Sequence, residues 1–298
     1  MTAIALVGPG SVGTYIAAQL AAGGHDVVAC ARRPFAEYVV ESRDSPVRAP
    51  AHVVTDPAAI DAGWTPRFVL VAVKAHQTAG AAPWLARLAA PGTTIVSVQN
   101  GVEGVERLTP YANGAEVCAS VVYCGAELLE PGHVRHHSHG LLITEAVASM
   151  HELAAAADGT GVRVRPDDGF ANEAWRKLGA NVVANGITAL TRRRGVDLAA
   201  TPGMTELVRG LLTETWAVAR AEGASLTDAD VDAFVSGLVT RPLSGGTSML
   251  YDRMAARPTE HDALHGAVVR LGARHGIATP LVAALDTLIA AGDAAAAD

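Results

Sequence analysis

The sequence predicts an α/β half followed by an all-helical half. Short apolar runs alternate with helix-like stretches through the first half. A glycine cluster, Gly8-x-Gly10-x-x-Gly13, follows directly on the first of those runs. After Val162-Arg-Val-Arg-Pro166 the pattern changes, and from Asp168 onward the periodicity is helical with almost no strand signal. At 298 residues the chain is long enough for two domains, each with its own core. The expected division is 1–166 and 167–298.

The first element is the strand Ile4-Ala-Leu-Val7, which runs into Gly8-Pro-Gly-Ser-Val-Gly13 and a helix-like stretch to Gly23. A strand, a glycine-rich turn and a helix in that order form a phosphate cradle: Gly8 for the tight turn, Gly10 for close backbone approach, Gly13 for close helix–strand packing. The pyrophosphate of a dinucleotide would sit on the helix N-terminus. We therefore expect a Rossmann-type domain whose loop residues Gly8, Pro9, Gly10, Ser11, Val12 and Gly13 contact the cofactor. The second strand, Asp26-Val-Val-Ala-Cys-Ala31, ends in Arg32-Arg33, with no carboxylate before Glu37. An NAD site places an Asp or Glu at that strand end. Two guanidinium groups there suit a 2′-phosphate instead, because the planar fork pairs with phosphate oxygens. NADP is expected, the alternative being a solvated basic loop.

Next come a short strand at His52–Asp56, a buried strand over Arg67–Lys74, a helix over Thr78–Leu88 and a second buried strand over Thr93–Val98. Near-continuous apolar runs of this kind suit parallel strands covered on both faces. Lys74 closes one of them and Gln99-Asn100-Gly101 follows the other. Ligands of open α/β sheets sit beyond the carboxyl ends of strands, so Lys74 and Asn100 point to the cofactor end. A solvated strand end and a plain turn are the simpler alternatives. Val117–Val122 and Leu141–Glu145 read as strands flanking a hairpin turn at Glu130-Pro-Gly-His133. The Ala-rich tail after Gly292 is expected to fray.

Composition narrows the function. Hydrophobic residues at 50% and charged residues at 18% describe an ordinary globular chain. A formal charge of −7 and 4% aromatics argue against nucleic acid. No apolar stretch is long enough for a membrane span, and the first strand begins almost at Met1, leaving no room for a signal peptide. A cytoplasmic location is expected. Cys30, Cys118 and Cys124 have no metal-type spacing. The histidines His133, His136, His137 and His139 lie in a strand-like run that would scatter them over both faces, so no metal is expected.

The helical half opens with Trp175-Arg-Lys177-Leu-Gly-Ala-Asn181-Val-Val-Ala-Asn185. At 100° per residue, Lys177, Asn181 and Asn185 fall within about 80° of one another. The residues between them are mostly apolar, so the stripe needs polar partners if buried, which a polar substrate would supply. A solvent-facing stripe is the alternative. Further on stand Thr247-Ser248-Met249 and Thr259-Glu260-His-Asp262, where Thr259 is the expected helix N-cap.

Taken together and in order, these motifs resemble the ketopantoate reductase family, NADPH-dependent 2-dehydropantoate 2-reductases of pantothenate biosynthesis. The resemblance implies that Lys177 is the proton donor and that Glu260, also catalytic, contacts cofactor or substrate at the cleft. It implies that Asn100, Asn181, Asn185 and Ser248 bind a small 2-oxo acid, with Ser248 on its carboxylate. Lys74, Asn100 and the backbone of Ala126 would contact the cofactor, and a homodimer is a possible assembly. Residues 1–166 would then be the NADP-binding domain and 167–298 the substrate-binding domain. Gly195, Gly245, His261 and His265 depart from the family's pattern, which offers an asparagine at Gly195 and another in the loop at Gly245-Gly246, and Ile and Asn at His261 and His265. The competing readings are a reductase of another ketone or imine on the same scaffold, and a non-catalytic NADPH-binding sensor.

Overall fold

Alternate residues of the apolar runs go to opposite faces of one sheet, and both faces are covered. Ile4, Leu6, Phe68, Leu70 and Val96 pack with Tyr15, Ile16, Leu20, Met150 and Leu153. Ala5, Val7, Val69, Val71 and Ile95 pack on the other side with Leu85, Leu88 and Leu108. This double burial is why the runs read as continuously apolar. The computed structural model describes residues 1–194, 201–240 and 245–294, divided into the units Met1–Phe170 and Ala171–Asp298.

The strands are β1 (Ala3–Val7), β2 (Asp26–Cys30), β3 (Glu37–Glu41), β4 (Val47–Pro50), β5 (His52–Val54), β6 (Phe68–Val71), β7 (Thr94–Ser97), β8 (Glu116–Glu130), β9 (His133–Glu145) and β10 (Arg163–Asp167). Helices α1 (Ser11–Ala22), α2 (Ala82–Leu88), α3 (Gly104–Leu108) and α4 (Ala148–Ala157) connect them. The sheet order is β4-β3-β9-β8-β7-β6-β1-β2-β5, with β10 on β9. From β5 to β8 every pairing is parallel. Counted along the chain, those six strands have the 3-2-1-4-5-6 order of a doubly wound nucleotide-binding sheet, with its switch point between β1 and β6. Beyond Ala119, β8 leaves β7 and continues as an antiparallel arm with β9.

Three local expectations are corrected. The strand expected over 67–74 spans only Phe68–Val71, and Val73 beyond it packs against the turn at Gly8. The helix expected over 78–88 begins as a 3-10 turn, Ala75–Ala81, and becomes α-helical only at Ala82. The two strands of the hairpin are much longer than expected and reach the turn at Pro131-Gly132.

The second unit is helical throughout its described residues: α5 (Phe170–Thr191), α6 (Met204–Ala221), α7 (Asp228–Thr240), α8 (Ser248–Met254), a single π-helical turn at Asp262–Gly266, α9 (Ala267–Arg274) and α10 (Pro280–Ala294). Two glycines let other side chains press on α5. A Cβ at Gly179 would lie 2.3 Å from the Trp216 ring, and one at Gly186 would lie 2.6 Å from His265 Nε2. Glycine costs a helix interior roughly 0.5–1 kcal/mol, which close packing here offsets. Trp175 is buried in this core. Among the described residues, no helix is long and apolar enough to cross a membrane.

Candidate active site

The loop after β1 has the shape of a phosphate cradle. Gly8 has a φ of +92°, and a Cβ on it would lie 2.5 Å from Val73 Cγ1. A Cβ on Gly13 would lie 2.5 Å from the Gly8 carbonyl oxygen, so only glycine lets α1 pack this close. At Gly10 an added Cβ would meet nothing within 4 Å, so the backbone there borders open space. Thr14 Oγ1 donates to the Pro9 carbonyl at 3.0 Å and holds the loop from below. No side chain caps α1 at Gly10, and Ser11 and Val12 are only half-buried in its first turn. A helix N-terminus without a side-chain cap, beside the open space at Gly10, fits a pyrophosphate.

The other residues expected at this end lie on neighbouring strand ends. The Gly8 N–H donates to the Cys30 carbonyl at 3.3 Å, which places the end of β2 beside the loop. Arg32 and Arg33 follow it and are exposed. Lys74 is half-buried just past β6. Buried Gln99 donates to the Val73 carbonyl at 3.0 Å and to Thr78 Oγ1 at 2.8 Å, bracing the Lys74 segment against the segment carrying Asn100. Arg107 donates to the Asn100 carbonyl at 3.3 Å. Sequence reasoning singled out Gln99 but not this bracing role. Ala126 lies on the β8 arm opposite His136, at a break in register.

The histidines of the arm disperse. His136 stacks on Tyr15 with ring centroids 4.1 Å apart. His133 pairs with Glu41 at 3.0 Å and Glu130 at 3.3 Å, and His137 lies 3.7 Å from Glu127. Among the described residues, no three His, Cys, Asp or Glu side chains gather as metal ligands. Burial pushes the thiols of Cys30 and Cys124 up to about 12 and that of Cys118 up to about 11, which leaves them poor nucleophiles.

In the second unit, Lys177, Asn181 and Asn185 occupy successive turns of α5. Lys177 and Asn181 are half-buried and Asn185 is buried. Burial lowers the Lys177 pKa below the ordinary lysine value, since a charged ammonium is disfavoured away from water. One turn beyond Asn185, Thr188 Oγ1 lies 2.7 Å from Thr247 Oγ1. Thr247 in turn accepts from the Leu250 N–H at 3.2 Å and caps α8. This hydroxyl pair fixes the start of α8, and with it the exposed Ser248, to the helix bearing the polar stripe. It was not legible in advance, because the partners are 59 residues apart.

The expected capping role of Thr259 is corrected. Its N–H and hydroxyl both donate to Asp293 Oδ2, at 3.1 and 2.7 Å, and it caps nothing. Glu260, which follows, is buried, and its carbonyl accepts from the Leu264 N–H at 3.2 Å as the chain enters the π-helical turn. Asp293 lies within α10 and is held there, contrary to the expected fraying after Gly292. Residues 295–298 lie outside the described residues.

Comparison with known proteins decides the family. Residues 4–148 match the family model for ketopantoate reductase PanE/ApbA, and residues 170–293 match that of its C-terminal domain. The chain belongs to the ketopantoate reductase family. A 2-dehydropantoate 2-reductase of Mycobacterium tuberculosis is 40% identical over 297 residues, covering 97% of each chain. Among solved structures, a PanE/ApbA family ketopantoate reductase from Ralstonia eutropha JMP134 is 31% identical, with a TM-score of 0.89 over 99% of each chain. A dimeric ketopantoate reductase from Staphylococcus aureus is 26% identical, with a TM-score of 0.83 over 98% of this chain and 99% of that one.

Of the four positions that depart from the ketopantoate reductase pattern, Gly245, His261 and His265 have physical reasons here. Gly245 has a φ of +136°, which an asparagine would adopt only with strain, and a Cβ on Gly246 would lie 2.5 Å from Tyr251 Cζ. Gly195 lies outside the described residues. His265 is fully buried, and its Nε2 donates to the Val182 carbonyl of α5 at 2.9 Å. It docks the π-helical turn onto the helix carrying Asn181 and Asn185. His261 Nδ1 lies 2.7 Å from Asp286 Oδ1, and that carboxylate raises the His261 pKa. A raised folded-state pKa contributes stability that is complete below the unfolded value and is lost as pH rises through the folded one. His261→Gln is therefore expected to lower the melting temperature at pH 5.5 and to have less effect at pH 9. Equal losses at both values, in thermal denaturation, would show that the pair carries no charge term.

Proposed function

We propose that this chain reduces a small 2-oxo acid, 2-dehydropantoate to pantoate, at the expense of NADPH. The observation that carries the reading is Lys177. It is an ammonium group partly withdrawn from water on a helix whose nearby Leu178, Val182 and Val183 are buried, one and two turns from Asn181 and Asn185. Membership of the ketopantoate reductase family and the name of the Mycobacterium tuberculosis relative support the substrate. The cradle at 8–13 and the exposed pair Arg32 and Arg33 support NADP.

When bound, the reduced nicotinamide supplies a hydride to C2 of the substrate. Lys177 holds its ammonium against the carbonyl oxygen, stabilises the charge that develops there and delivers the proton that completes the alcohol. Burial makes that proton easier to give up, because the neutral amine is the form favoured away from water. Asn181 and Asn185 orient the polar groups of the substrate, and Ser248 donates its hydroxyl hydrogen to the carboxylate. Glu260 contacts cofactor or substrate. Lys74, Asn100 and Ala126 line the cofactor, with Gly8, Pro9, Gly10, Ser11, Val12 and Gly13 on its phosphates. The dimeric Staphylococcus aureus relative makes a homodimer the expected assembly, and a cytoplasmic location is proposed with it.

The experiment is NADPH oxidation by the purified protein over a panel of 2-oxo acids, uncharged ketones and imines. The reading expects 2-dehydropantoate to have the highest kcat/KM. A preferred ketone or imine would replace the substrate, and NADPH binding with no turnover of any compound would make the protein a sensor. Ser248→Ala is expected to raise KM for the acid about tenfold or more and to change kcat less, because a bond to a carboxylate is made equally in ground and transition states. A matching loss with an uncharged ketone would take Ser248 away from the carboxylate.

A further inference from the structure

We propose that Asp293 and Thr259 are positioning residues for Glu260, so that the last turn of α10 belongs to the catalytic apparatus. The inference rests on the reading of Glu260 as a catalytic residue. Glu260 is 6% exposed and Thr259 beside it 5%. One oxygen of Asp293 takes both donors of Thr259, its N–H at 3.1 Å and its hydroxyl at 2.7 Å. The other oxygen lies 3.0 Å from Arg253 Nη1. Arg253 comes from α8, the helix that begins with Ser248, and its side chain is only 4% exposed. Its Nη2 donates to the Ile289 carbonyl of α10 at 2.7 Å. Gly292 leaves room for it, since a Cβ there would stand 2.8 Å from Arg253 Nη1.

On the other side of Glu260, His261 pairs with Asp286, seven residues before Asp293 and hence on the same face of α10. Both neighbours of Glu260 are therefore tied to carboxylates of one helix, and its own carbonyl is tied to the Leu264 N–H. Withdrawing a guanidinium and a carboxylate from water is costly, and apolar side chains of similar size would often hold a helix end as well. Hydrogen bonds do what apolar contacts cannot. They fix the direction of a backbone, here that of the residue entering Glu260. A side chain misplaced by about 1 Å can lose about a hundredfold in rate, which sets the scale of what such anchoring protects.

The test is a double-mutant cycle on kcat in the full-length protein, with NADPH and its preferred 2-oxo acid. Asp293→Ala is expected to lower kcat about tenfold to a hundredfold, with the dissociation constant for NADPH near wild type. In a Glu260→Gln background the same substitution should have little further effect, because the group it positions is gone. Equal losses in both backgrounds would mean that Asp293 serves the fold alone and would overturn the proposal, as would wild-type kcat in Asp293→Ala. If that variant does not fold, Thr259 carries the test. Thr259→Ser keeps both donors and should retain kcat, whereas Thr259→Val loses the hydroxyl and should not. Equal kcat in the two Thr259 variants also overturns the proposal. Wild-type kcat in Glu260→Gln alone would instead remove Glu260 from catalysis, and the inference with it.

Discussion

Lys177→Ala is expected to lower kcat for the preferred 2-oxo acid by about two to four orders of magnitude, the range for losing a positioned acid or oxyanion donor. The dissociation constant for NADPH, from fluorescence titration, should stay near wild type, because the phosphate cradle lies in the other unit of the chain. The wild-type pH profile should show the same group. Reduction needs the ammonium form, so kcat falls as pH rises through the Lys177 pKa. Burial places that midpoint below the ordinary lysine value. The alkaline limb should vanish in the Ala variant. More than a tenth of wild-type turnover in Lys177→Ala would remove it from the catalytic role.

Replacing Arg32 and Arg33 together by Ala should raise KM for NADPH at least about tenfold and leave NADH little changed, as expected for losing a charge-assisted contact to the 2′-phosphate. Both side chains are exposed at the end of β2, and the Gly8 N–H bond to the Cys30 carbonyl keeps that strand end beside the cradle. Equal losses with the two cofactors, or no loss, would make the pair a solvated loop.

The contrast between these residues and the Asp293 network shows what a sequence can disclose. The cradle was legible because its requirements are local. A positive φ at Gly8 and a 2.5 Å approach at Gly13 admit only glycine, and both sit within one strand–turn–helix. Strands β1 and β6 were legible because burial on both faces leaves no polar position to interrupt them, and β7 because its Ile95-Val96 centre is apolar and its Thr94 and Ser97 are small. The edge strand β4 and its neighbour β3 were missed. They are short, half-exposed and mixed in polarity, and β3 gains its register from His133–Arg135, more than 90 residues away. The stripe on α5 could be read from helical spacing. What fixes Ser248 to it, a threonine pair 59 residues apart, could not. Asp286 and Asp293 gave a weak signal as two acids seven apart in an Ala-rich helix, but their partners, His261, Thr259 and Arg253, are set by packing alone.

The most direct test of the central claim is transfer of label from NADPH deuterated at the hydride position of C4 to 2-dehydropantoate, followed by mass spectrometry and NMR of the product. The account expects pantoate with deuterium at C2, in equal amount to the NADP formed. Unchanged 2-dehydropantoate in the presence of bound cofactor, or pantoate without deuterium at C2, would contradict it.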